Sequence, residues 1–406
     1  MTHGLHAHDI SLILKTLLMT YDFDTLIDRR GTDCVKWDTA KEDDVLPMWV
    51  ADMDFKAAPC IAEALRKRME HGVFGYTIVP ESYYDAITGW FGRRHNWNID
   101  RSWIIYTTGV VPAISATIKA LTEPGDKVII QTPVYNCFFS SIRNNGCVIA
   151  ENPLIYEDNT YHIDFEGFER LAADERTKVF LLCNPHNPAG RVWLPEDMRR
   201  LNDICMRHGV KVISDEIHCE LIMKGNSYTP FASISDECLH NSITLNSPTK
   251  AFNIAGLQIA NIISCDADMR RKIDRAININ EICDVNPFGV VALQAAYNEG
   301  GEWLDSLNEY LYGNYTELLR FFRERMPAIG ITRLEGTYLV WADIRSTGMS
   351  SDELNRRLIS EGHVMMNSGT MYGKTAGEGF LRINIACPRS RMIEGLERMA
   401  RVIEKL

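Results

Sequence analysis

Residues 194–215 read LPEDMRRLNDICMRHGVKVISD. Pro195 sits at a first-turn position, where its missing N–H is not needed, and Leu194, Met198, Leu201 and Cys205 recur at helical spacing along one face. Gly209 follows the last basic turn as a stop, and Val210-Lys211-Val212-Ile213-Ser214 is short and β-rich, as a strand should be. The same alternation runs from about residue 55 to 265, with further strands expected at Ile104-Ile105-Tyr106-Thr107, Val128-Ile129-Ile130-Gln131, Val179-Phe180-Leu181-Leu182-Cys183 and Ser242-Ile243-Thr244-Leu245. The predicted fold class is α/β, a mainly parallel sheet with helices on both faces.

Beyond about residue 300 the pattern changes to long helices and β-rich patches at 337–343 and 380–385. A helix opened by the capping box Ser350-x-x-Glu353 lies between the patches, and an amphipathic C-terminal helix carries Met392, Leu396, Met399 and Ile403. The expected division is a large domain over 55–300, a smaller α+β domain over 301–406, and a segment 21–54 packed on the smaller one. Residues 1–20, with His3, His6 and His8 ahead of a short apolar run, read as a mobile extension, and Met19 as the start of translation.

Composition narrows the function. With 406 residues, 46% hydrophobic and 24% charged, the chain has the make-up of a folded globular protein. Its net charge of −11 is repelled by phosphate backbones and anionic lipid, so neither nucleic acid nor membrane is an expected partner. The apolar run 10–19 is too short to span a bilayer, carries Lys15 and lacks a basic leader. The 11 cysteines include no C-x-x-C pair and read as reduced thiols of a cytoplasmic protein.

In an open α/β sheet ligands bind outside the carboxyl ends of strands, so the five strand tails should converge on one crevice. The first, Thr108-Gly109-Val110-Val111-Pro112-Ala113, runs through a glycine into a helix and presents free N–H groups to a phosphate; such turns also occur without ligands. The second brings Tyr135, a stacking ring or a tyrosine packed on the rim. The third, Asn184-Pro185-His186-Asn187-Pro188-x-Gly190, holds amides in a proline-locked turn, for binding or for the turn itself. Asp215 is either a helix N-cap or a fixed anion facing the crevice, and Lys250 lies in the small-residue turn Asn246-Ser247-Pro248-Thr249-Lys250. Together a phosphate cradle, an aromatic, an amide, a carboxylate and an amine are the parts that hold pyridoxal phosphate. Ser368-x-x-x-x-Gly373-Lys374-Thr375 departs from a phosphate-binding P-loop by its first residue, with no Val/Ile-rich strand expected to feed it and no clear helix to follow. His218, with Asp215 and Glu216 close by, lacks a metal ligand set and reads as packing behind the cofactor's contacts.

On these residues the sequence resembles the fold-type I pyridoxal-phosphate enzymes of the aspartate aminotransferase superfamily, and within them the MalY/PatB-like cystathionine β-lyase branch. The branch-specific pieces are residues 46–55 (LPMWVADMDF), Thr108-Gly109-Val110-Val111-Pro112, the turn 184–190, Ser214-Asp215-Glu216-Ile217-His218 and Cys387-Pro388-Arg389-Ser390. The resemblance implies a seven-stranded large sheet, Lys250 as the Schiff-base lysine, Asp215 as partner of the pyridine nitrogen and Tyr135 as the stacking ring. It implies that Asn187 donates to the ring's phenolic oxygen, that Gly109, Val110, Val111 and Ser247 hold the phosphate, and that Arg382 clamps the substrate α-carboxylate. The resemblance also implies that Tyr76 reaches the phosphate of a neighbouring subunit, so the expected active unit is a homodimer. Two positions depart from many aminotransferases: Gln258 stands eight residues after the lysine in place of a phosphate-binding arginine, and His218 in place of a tyrosine.

The activity these implications favour is β-elimination on cystathionine or cysteine, giving a thiol, pyruvate and ammonia, with Lys250 removing the Cα proton and with Trp49 and Tyr76 enclosing the side chain; Trp49 reads equally as core. The alternatives are an aminotransferase and a regulatory protein-binding body that keeps the fold. Only about 20 residues precede Tyr21, too few for an added DNA-binding module, and Lys250 and Asp215 are both present.

Overall fold

The computed structural model describes residues 21–40, 44–281 and 284–406; the extension expected over 1–20 lies outside them. Its large sheet has seven strands: β1 Ile104–Thr107, β2 Lys127–Ile130, β3 Val148–Glu151, β4 Thr177–Cys183, β5 Lys211–Asp215, β6 Ser242–Asn246 and β7 Ala260–Ile263. They lie in the order β1-β7-β6-β5-β4-β2-β3, parallel except for β7, which runs antiparallel to both of its neighbours. Strands β6 and β7 are buried along their whole length, as a sheet covered on both faces requires.

Strand β7 was not anticipated, although Ile259-Ala260-Asn261-Ile262-Ile263 has strand composition. Because it is antiparallel, its first residue Ala260 pairs with the last residue of β1, Thr107. Gln258 and Ile259 therefore enter the sheet at the carboxyl edge, beside the tails of the parallel strands.

The helix after β1, α1 (Val110–Leu121), starts directly behind Gly109. Pro112 is no obstacle, because first-turn N–H groups have no intrahelical acceptor. In α2 (Pro195–Arg207) Met198, Leu201 and Cys205 are buried, but Leu194 is the N-cap and stands half exposed, so it is not part of the buried stripe. Gly209 adopts φ +69°, the left-handed stop, and the Val210 N–H returns to the Cys205 carbonyl at 2.8 Å.

A second sheet follows the long helix α3 (Gly301–Arg325). Its strands β8 (Gly330–Ile331), β9 (Leu339–Asp343), β10 (Asn367–Ser368) and β11 (Phe380–Asn384) lie antiparallel in the order β8-β9-β11-β10. The 337–343 patch begins pairing only at Leu339, because Thr337 takes φ +71° and turns its N–H to the Leu221 carbonyl. Helix α4 (Ser351–Gly362) has half the expected capping box. Ser350 Oγ accepts from the Glu353 N–H, while the Glu353 carboxylate pairs with Arg356. Residues Leu46–Pro47 pair in parallel with Val364–Met365, and the Met48 carbonyl accepts from the Asn384 N–H, so the segment that follows is laid along this second sheet toward the large one.

Candidate active site

All five strand tails reach one cavity of about 390 Å³. Gly109, Val110 and Val111 line it at the start of α1, whose N-terminus has no side-chain cap. Tyr135, Asn187, Asp215, His218 and Lys250 line it from the other tails, and Trp49 and Arg382 close it from the side of the second sheet. Two residues named from the sequence, Ser247 and Tyr76, the latter expected at a neighbouring subunit, do not line it. Ser247 does not line the cavity: its hydroxyl donates to the Ile259 carbonyl at 2.6 Å and accepts from the Thr249 N–H, and the hydroxyl residue lining the cavity is Thr249. Tyr76 is 98% exposed and contributes nothing to the cavity of its own chain.

Asp215 is buried at the end of β5, with one carboxylate oxygen accepting from the Ile217 N–H at 3.1 Å. Burial pushes its carboxyl up to about 7, reinforced by the adjoining Glu216 carboxylate. Across the cavity Lys250 Nζ donates to the Ala51 carbonyl at 2.6 Å. Burial, helped by the Arg382 charge, lowers this amine to about 8, and burial likewise brings His218 down to about 3, so that imidazole is neutral. The hydroxyl of Tyr135 is raised, first by burial and then by neighbouring Cys137.

Arg382, on β11, is buried. Its Nη1 donates to Asn187 Oδ1 at 3.1 Å and its Nη2 to the Trp49 carbonyl at 2.8 Å. With Oδ1 engaged, Asn187 has its amide NH2 left as donor. The segment around Trp49 is stitched into the site by its backbone. The Ala51 carbonyl also accepts from Tyr338 Oη, and Asn384 Nδ2 donates to the carbonyls of Val50 and Asp52. Beneath it, Asp54 is enclosed with Lys36 at 3.0 Å, Arg29 at 2.8 Å and Trp37 Nε1 at 2.9 Å. Burial pushes the Asp54 carboxyl upward, yet Lys36 and the hydrogen bonds from Trp37 and Arg29 outweigh it and hold the group below the usual carboxylate range.

Tyr372, Asn367 and Met371 also line the cavity and had no place in the sequence reading. They flank or lie within the Ser368–Thr375 stretch weighed there as a phosphate loop. Its Thr370 hydroxyl is bound to Asp352 at 2.7 Å. Gln258, with φ +52°, lines the cavity as the tail of an αL turn into β7.

The family model described as aminotransferase class I and II matches residues 43–399. Cystathionine beta-lyase PatB of Bacillus subtilis (strain 168) is 43% identical to this chain, over 93% of this chain and 98% of that protein. Protein MalY of Escherichia coli (strain K12) is 34% identical, over 93% and 97%. Among solved structures, cystalysin from Treponema denticola, which contains a pyridoxal 5'-phosphate cofactor, matches with a TM-score of 0.92 at 37% identity, over 95% of this chain and all of that one.

Proposed function

The chain belongs to the aminotransferase class I and II family, and we propose that within it the protein is a pyridoxal-phosphate-dependent carbon–sulfur β-lyase. Its substrates in this reading are cystathionine or cysteine, and its products a thiol, pyruvate and ammonia. The observation that carries the reading is the meeting of Lys250, Asp215 and Arg382 in one cavity, in a chain resembling PatB along nearly its whole length.

The residues present fit the cofactor. A buried carboxylate with a single backbone donor and a pKa pushed toward 7 is short of a cationic partner, which a protonated pyridine supplies. The uncapped first turn of α1 offers the N–H groups of Val110 and Val111 behind Gly109 to a phosphate, and Thr249 takes the place expected of Ser247. Asn187, its Oδ1 already taken by Arg382, would offer its amide NH2 to the ring oxygen, and Tyr135 would form the aromatic wall. When bound, the cofactor supplies an aldehyde that links to an amine and a ring that accepts the electrons left on Cα.

The chain's own groups do the rest. Arg382 offers a planar fork to the substrate carboxylate and so fixes which Cα bond faces Lys250. Lys250, eased to about 8, has a fraction of free amine near neutral pH with which to take the Cα proton. Neutral His218 adds no positive charge to compete with the pyridine nitrogen for Asp215, and Trp49 walls the side-chain end. A second copy of the chain covers the segment 72–80, whose Val73, Phe74, Tyr76 and Ile78 stand exposed, and receives Tyr76 at its own cavity. A cytoplasmic setting goes with the ten cysteines of the described residues, all free thiols, and no helix among those residues is long and apolar enough to cross a membrane.

Incubation of the holoenzyme with cystathionine tests the reading. Pyruvate released without any keto acid supports the lyase. Turnover that requires 2-oxoglutarate overturns it in favour of an aminotransferase.

A further inference from the structure

A guanidinium has five N–H bonds, and in Arg382 two of them are taken by the protein itself. Nε is enclosed and without a partner, Nη1 has one hydrogen on Asn187 Oδ1, and Nη2 has one on the Trp49 carbonyl. One N–H remains on each terminal nitrogen, which is the pair an end-on carboxylate needs. The direction of that pair depends on how the guanidinium plane is held.

Two residues outside the roles assigned above hold it. The Tyr372 ring lies against the guanidinium, 4.7 Å from its central carbon to the ring centroid, and is braced by the edge of Trp341 at 5.6 Å and 88°. Asn367 stands directly opposite Arg382 across the β10–β11 pairing. Its Nδ2 donates both to the Tyr372 hydroxyl at 2.9 Å and to the Trp49 carbonyl at 2.9 Å, the same carbonyl that takes Arg382 Nη2. One buried amide therefore ties together the platform under the guanidinium and the acceptor at its tip. The Tyr372 carbonyl, bound by the Val134 N–H at 2.8 Å, anchors the platform to the loop carrying Tyr135.

We propose that Asn367 and Tyr372 are positioning residues that aim the Arg382 fork at the substrate carboxylate. The proposal rests on the reading that Arg382 binds that carboxylate, and the experiment separates the two. In the holoenzyme, Tyr372→Phe keeps the ring and drops the hydroxyl, Tyr372→Leu removes the platform, and Asn367→Ala removes the tie. Two ligands are measured: 2-aminoisobutyrate, which has no Cα proton to lose, by calorimetric Kd, and cystathionine by KM and kcat.

Tyr372→Phe and Asn367→Ala are expected to raise Kd and KM together by about 3- to 10-fold, the scale of one lost hydrogen bond near a charge, with kcat within about twofold. Tyr372→Leu is expected to weaken binding further through loss of the cation–π contact. The double variant Asn367→Ala/Tyr372→Phe should cost less than the two single changes combined, because both break one tie. Unchanged Kd, a fall confined to kcat, or fully additive effects would overturn the proposal. Arg382→Ala decides the underlying reading: if it leaves the 2-aminoisobutyrate Kd unchanged, the carboxylate assignment fails; if it abolishes binding while Asn367→Ala and Tyr372→Phe do nothing, only the positioning role fails.

Discussion

Lys250 Nζ donates to the Ala51 carbonyl at 2.6 Å, so the amine assigned to the chemistry rests on the backbone of a segment 199 residues earlier in the chain. Its lowered pKa has a direction that can be measured. Between about 8 and the ordinary lysine value of 10.5 the folded protein binds fewer protons here than the unfolded chain does, so this group makes folding more favourable as pH rises through that window. In cofactor-free protein, pH-dependent acylation followed by peptide mapping should show Lys250 reacting with a midpoint near 8, well below the surface lysines. A midpoint above 10 would contradict the buried setting.

Borohydride reduction of the holoenzyme should fix a pyridoxyl group on the tryptic peptide containing Lys250. Label on any other lysine removes the assignment on which the proposed chemistry stands.

Asp215→Asn should reduce turnover by about 10²- to 10³-fold, the usual loss when one preorganised electrostatic partner is removed. Stability responds differently. The Asp215 carboxyl is raised to about 7, so between the ordinary value of 3.8 and about 7 the folded state holds more protons than the unfolded one, and this group's contribution to stability falls as pH rises through that range. Cofactor-free Asp215→Asn should therefore gain in melting temperature over the parent between pH 4 and pH 7. A difference that is flat with pH would show the carboxylate to be comfortable where it is.

Arg382→Lys keeps the charge but loses the fork, and an ammonium cannot reach both Asn187 and the Trp49 carbonyl while holding a carboxylate end-on. Steady-state kinetics should show KM for cystathionine raised by about 10- to 100-fold, a size matching one lost charge-assisted hydrogen bond. An unchanged KM would move the carboxylate site elsewhere.

Asp54→Asn leaves enclosed Lys36 with only its longer contact to Asp52, at 3.6 Å, and deprives Arg29 of one of its two carboxylates. Breaking a buried pair from one side typically costs about 3–5 kcal/mol, which denaturant titration will register as a lower midpoint. Because the native Asp54 pKa is held below the ordinary range, its stabilisation is present above about pH 4 and is lost as pH falls through the native value. The variant should accordingly show a shallower acid transition than the parent.

The strand tails were legible because strand composition and turn residues are local properties, and α/β topology then gathers them at one edge. Which hydroxyl of Ser247 and Thr249 faces the cavity was not legible, because two side chains two residues apart exchange places with a small rotation of the turn. Asn367 and Tyr372 matter through pairing with Arg382 across β10 and β11, a relationship invisible until the register is known. The segment at 49–53 acts through carbonyl groups, which every residue has, and Trp49 could therefore be suspected only for its side chain. Strand β7 escaped notice because its polar Asn261 is buried, hydrogen-bonded to Tyr83 and Asn246, where an apolar residue would have completed the run.

The stitching of the 49–53 carbonyls to Lys250, Arg382 and Asn384 also governs when, during synthesis, a catalytically complete molecule first exists. Lys250 and Asn253 can bind the carbonyls of Ala51 and Met53 as soon as the large sheet forms, but Trp49, Val50 and Asp52 wait for Arg382 and Asn384 to leave the ribosomal tunnel. Assembly of the enzyme is in this sense completed by its later-made sheet, and vitamin capture by a half-made polypeptide would meet a site lacking the wall of Asn367, Tyr372 and Arg382.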